Sequence, residues 1–172
     1  MLKPIKTILF ATDLSANCQP ALDFTISVAT RFNAKICMLY VIEKLSEHVD
    51  ERLREMVGVH QWEELVNVQM KQAHKSLLGK TPENVQVRQA IHNFCLQEGI
   101  AEEGCDVKDR EIIITHGDIV EDIVATAVEK QCDLIVLGGH DSLIGRSSVG
   151  SKIKGVIKRT NLPVTVVPAD AS

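Results

Sequence analysis

An apolar run, Leu134-Ile135-Val136-Leu137, ends in Gly138-Gly139, and Gly150-Ser151 follows it, with Arg146 and Lys152 nearby. Residues of these types can hold an anion. Glycine lets backbone N–H groups approach a ligand with no side chain in the way. Gly150-Ser151 precedes Ile153, Val156 and Ile157, a spacing that predicts a helix with those three residues inward and ending before Pro163. The start of such a helix offers free N–H donors and a favourable dipole. Ser151 adds a hydroxyl, and Arg146 and Lys152 can neutralise phosphate charge. The same glycines also read as an ordinary strand-to-loop turn, and residue chemistry leaves both readings open. The segment is not a P-loop, since Gly-Lys-Ser/Thr is missing. Nor is it the dinucleotide fingerprint, which follows a first strand.

Other candidates are single residues. Ala11-Thr12-Asp13 closes the first apolar run. Asp13 reads either as a ligand contact or, with Ser15, as a cap for the helix that follows. His140 lies in the glycine loop and reads as a ligand contact or a solvated side chain. His48, His60, His74 and His92 are scattered through the middle of the chain, with no spacing that makes a catalytic triad or dyad. The five cysteines, at 18, 37, 95, 105 and 132, include no Cys-x-x-Cys pair. Reduced thiols are therefore expected, Cys37 and Cys132 as small core residues, with a Cys95–Cys105 bridge as the alternative.

Five β-type runs must carry these residues: Thr7–Ala11, Ile36–Ile42, Ile112–Ile114, Leu134–Leu137 and Val164–Val167. They are continuously apolar, as strands buried on both faces are. Between them lie helical patterns. Leu22, Ile26, Val28 and Ala29 predict a helix stopping near Asn33. Asp118-Ile119-Val120-Glu121 is a capping box, with Ile119, Ile123 and Ala127 on one face. Residues 46–79 read as one helix with Leu53, Met56, Trp62, Leu65, Val66, Met70 and Leu77 as its apolar positions. Thr81-Pro82 opens a further helix, so residues 80–106 read as an insert in the crossover from the second strand to the third. Strands alternating with helices predict a doubly wound, five-stranded, mainly parallel sheet with helices on both faces. The 172 residues suit a single domain.

Hydrophobic residues make up 45%, and no apolar run reaches the length of a membrane helix. The net charge of −4 argues against a general nucleic-acid binder. With no signal-peptide pattern at Met1–Lys6, a cytoplasmic location is expected.

Motif order makes the chain resemble the universal stress protein family over nearly its whole length, the insert excepted. Members share a strand ending Gly-x-x-Gly, nine residues, Gly-Ser/Thr, and a closing Pro-Val-x-Val-Val strand. This chain has Gly138, Gly139-His140, Asp141, eight residues, Gly150-Ser151 and Pro163-Val164-Thr165-Val166-Val167. Ala11-Thr12-Asp13-Leu14-Ser15 and His116-Gly117-Asp118 also match. The resemblance implies a Rossmann-like fold of the adenine nucleotide alpha-hydrolase kind. It implies a branch that binds ATP and a branch that does not. In the binding branch Asp13 and Val41 serve the nucleoside, and Gly138, Gly150 and Ser151 the ribose and phosphates. Ala11, Thr12, Leu137, His140, Asp141, Arg146 and Lys152 are the further nucleotide-binding candidates, for an adenine nucleotide, ATP with Mg²⁺, and not a flavin. It implies a homodimer through Val164, Thr165, Val166 and Val167, acting as a stress regulator rather than an enzyme. Two departures stand against the ATP-binding branch: Asp141 replaces the second glycine, and the loop is one residue short. A carboxylate there repels phosphate or holds Mg²⁺ against its oxygens. The alternatives are a dimeric interaction protein of the same fold without nucleotide, a slow ATP hydrolase, and a flavodoxin-like cofactor domain.

Overall fold

The computed structural model describes residues 3–13, 16–43, 47–78, 110–139 and 150–169. The insert at 80–106, with Cys95 and Cys105, lies outside them. Five strands form one sheet: β1 (Thr7–Ala11), β2 (Lys35–Glu43), β3 (Arg110–Gly117), β4 (Leu134–Gly138) and β5 (Val164–Val167). Their order is β3-β2-β1-β4-β5, and every pairing is parallel. The chain winds outward from β1 through β2 to β3, then crosses to β4 and β5 on the other side. The winding reverses between β1 and β4, where sheets of this kind bind ligands beyond the strands' carboxyl ends.

Both faces are apolar, which explains the unbroken hydrophobic runs. Ile8, Phe10, Ile36, Met38, Leu134 and Val136 pack on one face with Leu22, Ile26 and Ala29 of α1 (Gln19–Phe32). Leu9, Cys37, Leu39, Ile135 and Leu137 pack on the other. Covering that face are Ile123 and Ala127 of α4 (Ile119–Glu129) and Val156 of α5 (Ser151–Arg159). Cys37 and Cys132 are both buried there with free thiols. Their hydrogen bond and their burial push the Cys132 thiol up, so it stays protonated.

Local signals explain most boundaries, and three expectations need correction. Asp118 caps α4 as expected, its carboxylate accepting the Glu121 N–H at 2.9 Å. Asn33 closes α1 in the left-handed region at φ 50°, which asparagine tolerates. At its start, however, α1 is not capped by Ser15. A 3₁₀ turn, Ala16–Cys18, comes first, and Cys18 is the N-cap without a side-chain cap bond. Pro20 then sits in the first turn, where its missing N–H does no harm. The expected helix over 46–79 is two helices, α2 (Glu47–Val57) and α3 (Val59–Leu78). They break at Gly58, whose φ of 85° suits glycine and ends a helix. Trp62, Val66 and Met70 form a half-buried stripe on α3, while Met56 and Leu65 are exposed rather than inward. Ile157 is also exposed, so α5 presents only Ile153 and Val156 to the sheet.

The chain's entry into β1 is tied to the entry into β4 by Asp133. Its carboxylate accepts the N–H of Lys6 at 2.9 Å and of Thr7 at 3.2 Å, and Lys3 pairs with it at 3.0 Å. Burial pushes this carboxyl up. The Lys6 N–H, the Lys3 ammonium and the Thr7 N–H outweigh that and hold it below the usual Asp range. A depressed carboxyl adds stability above its unfolded value of about 3.9, and the gain is lost as pH falls through the folded value. Asp133→Asn is therefore expected to cost about 0.5–1.5 kcal/mol at pH 7, as the charge-assisted bonds to the Lys6 and Thr7 N–H groups weaken. In urea titrations across pH, the gap between wild type and variant should begin to narrow below about pH 4 and close as pH falls through the lower folded value.

Candidate functional site

A cavity of about 550 Å³ opens at the carboxyl ends of the strands, beside the winding reversal. That is within the range of small-molecule sites. Four elements bring the expected residues to it. Ala11 ends β1, and Thr12 and Asp13 follow it. Val41 lies on β2, and Leu137 and Gly138 end β4. Gly150, Ser151 and Lys152 form the start of α5. Every candidate ligand residue among the described residues thus lines one cavity. His140, Asp141 and Arg146 lie outside the described residues.

The floor is apolar and the rim polar. Leu39 and Val41 of β2 face inward with Leu137, and Ile119 and Ile123 of α4 meet Ile153 and Val156 of α5 across the base. Close packing fixes those two helices. A Cβ on Gly155 would lie 2.9 Å from Cγ2 of Val120, so α5 approaches α4 more closely than a side chain at 155 permits. Arg159 adds an ion pair to Glu121 at 3.1 Å.

Gly138 also has a packing reason. A Cβ there would sit 3.0 Å from Sγ of Cys18. Cys18 folds back over the end of β4 and lines the cavity. Its thiol donates to Oδ1 of Asp13 at 3.1 Å, and burial pushes that thiol up, so it stays protonated. Gly150 differs. It is the N-cap of α5, with φ −49° and ψ 149°, and a Cβ there would meet nothing within 4 Å among the described residues. This glycine lines the cavity with the first-turn N–H groups of α5 behind it.

Cys18 and Glu43 are lining residues that the motifs did not single out. Glu43 is the last residue of β2, and its Oε1 pairs with Nζ of Lys152 at 2.6 Å across the cavity's edge. Its signal was the alternation Leu39, Val41, Glu43, which puts all three on one face of β2. No group of three or more potential metal-ligating side chains occurs among the described residues. Among them, too, no helix is long and apolar enough to cross a membrane.

A profile of the universal stress protein family matches residues 4–168. The chain belongs to that family. Solved structures of similar fold include the protein MJ0577, at 24% identity and a TM-score of 0.62, covering 99% of this chain and 100% of that one. The universal stress protein UspA from Lactobacillus plantarum is similar at 20% identity and a TM-score of 0.62, covering 96% and 99%. A universal stress protein solved in complex with cAMP is similar at 19% identity and a TM-score of 0.52, covering 96% and 98%. One from Archaeoglobus fulgidus was solved with dAMP, at 15% identity and a TM-score of 0.50, covering 95% and 98%. No match was found among curated proteins. The shared fold of the family is the parallel sheet in the order described above.

Proposed function

We propose that this universal stress protein binds an adenine nucleotide, ATP with Mg²⁺, in the cavity and acts as a nucleotide-responsive regulator. The observation that carries this is the convergence of Asp13, Val41, Gly138, Gly150, Ser151 and Lys152 on one cavity at the winding reversal. In this reading, the apolar floor of Val41, Leu137 and Ile123 takes the base. Asp13 accepts from the nucleoside. The first-turn N–H groups of α5, the Ser151 hydroxyl and the Lys152 ammonium meet phosphate oxygens. Asp141 is the candidate Mg²⁺ ligand, and bound Mg²⁺ would neutralise phosphate charge. Relatives of the same fold solved with cAMP and with dAMP support a nucleotide of this class. The chain is a binding protein in this reading, without an assigned reaction. Denaturing the purified protein and identifying the released small molecules by mass spectrometry, alongside ATP titration by calorimetry, tests it. Stoichiometric adenine nucleotide or micromolar binding heat supports it. No released nucleotide and no heat at several temperatures leaves an interaction protein of the same fold.

The same proposal includes a homodimer through β5. This strand lies at the sheet's edge and pairs with β4. Ile135 N–H donates to Pro163 and Gly139 N–H to Val167. Backbone groups alternate along a strand, so Val164 and Val166 direct theirs to the open edge. Val166→Pro removes one outward N–H and spares the β4 ladder. It is expected to turn a dimer into a monomer in analytical ultracentrifugation, with the circular dichroism spectrum kept. A variant that stays dimeric places the interface elsewhere.

A further inference from the structure

Resting on the nucleotide reading, we propose that Glu43 is a specificity-determining residue: it competes with ligand phosphate for Lys152 and biases the site toward ligands with fewer phosphates. Three described ionisable side chains of definite charge line the cavity, the carboxylates Asp13 and Glu43 and the ammonium Lys152. Lys152 is the only basic group among the described lining residues. Its 2.6 Å pair with Glu43 already satisfies it when no anion is present. Both side chains are about half exposed, 49% for Lys152 and 55% for Glu43. A pair so open to water adds little to folding, so its geometry is better explained by where it stands. Glu43 is held there by the face of β2 that also carries Leu39 and Val41, and Lys152 by the first turn of α5. The two meet where the helix start offers its N–H donors. A phosphate arriving there must take Lys152 from Glu43 and then sit beside the displaced carboxylate. That repulsion grows with ligand charge, so a triphosphate is penalised more than a monophosphate, and a nucleoside not at all.

The test titrates ATP, AMP and adenosine, without Mg²⁺ and at fixed ionic strength, into wild type, Glu43→Gln, Lys152→Gln and the double variant. Glutamine keeps the shape of Glu43 and removes its charge. Glu43→Gln is expected to tighten ATP on the order of tenfold and AMP by about threefold, and to leave adenosine unchanged. In the Lys152→Gln background the Glu43→Gln gain should shrink, because the share that comes from freeing the ammonium is lost and only the carboxylate's direct repulsion remains. Raising the salt concentration should shrink the ATP effect. A change equal for all three ligands, no change for ATP, or a gain undiminished without Lys152 overturns the proposal while leaving the nucleotide reading intact. If wild type and variants bind none of the three, with or without Mg²⁺, the nucleotide reading falls and this proposal with it.

Discussion

Gly150→Val is expected to weaken nucleotide binding by about a hundredfold or more while the protein stays folded. Two charge-assisted hydrogen bonds from the α5 start to phosphate are at stake, each worth about 1.5–3 kcal/mol. Each 1.4 kcal/mol is roughly tenfold in affinity. A valine side chain would occupy the approach to those donors. The fold itself tolerates the change. The backbone at Gly150 has negative φ and extended ψ, open to any residue, and a Cβ meets nothing within 4 Å among the described residues. Valine is a poorer N-cap than glycine, which costs at most about 1 kcal/mol. Calorimetry with ATP and a thermal melt on the same sample separate the two effects. A variant that binds ATP as tightly as wild type removes the helix start from the binding site.

Phe10→Ala has the opposite profile. Phe10 is 1% exposed, and it is among the largest fully buried side chains. It fills the space between β1 and α1 with Leu22, Ile26 and Met38. Truncation is expected to cost about 3–5 kcal/mol through lost burial plus the void left behind. In urea titration the midpoint should fall while the slope m holds. The cavity for ligand lies on the other face of the sheet, lined by Leu39, Leu137 and Val156. The folded fraction of Phe10→Ala should therefore bind nucleotide nearly as wild type does. Ile157→Ala provides the control: Ile157 is 48% exposed on α5, and its loss should change stability by no more than about 0.5 kcal/mol.

Much of this architecture could be read from residues alone, and the failures have physical causes. The central strands β1, β2 and β4 were legible because they are buried on both faces, so Ile8 to Phe10 or Leu134 to Leu137 leave no alternation to misread, and the half-buried edge strands β3 and β5 keep the same apolar runs. The cavity's lining was legible where a local signal coincided with the carboxyl end of a strand or a helix start, as at Asp13, Gly138 and Gly150-Ser151. Cys18 was not, because its role arises when a 3₁₀ turn folds it over Gly138, and no periodicity announces that. Glu43 reads as a charge at a strand's end, and its partner lies 109 positions away. Gly58 was read through because apolar spacing continues on both sides of it, and a helix can absorb one glycine at a cost of about 1 kcal/mol. Ile157 follows the same spacing as Val156's face but sits one residue too far round the helix.

The contact between Gly155 and Val120 has a consequence for how related sequences can drift. The two positions share one volume: what α5 lacks at 155, α4 fills at 120. A lone enlargement at 155 overpacks the contact and pushes the helices apart, widening the base of the cavity between Ile119, Ile123, Ile153 and Val156. Enlargement at 155 is tolerable when 120 shrinks in step. Aligned relatives that keep this cavity should therefore show 120 and 155 changing together, large against small, with the sum of the two side chains nearly constant.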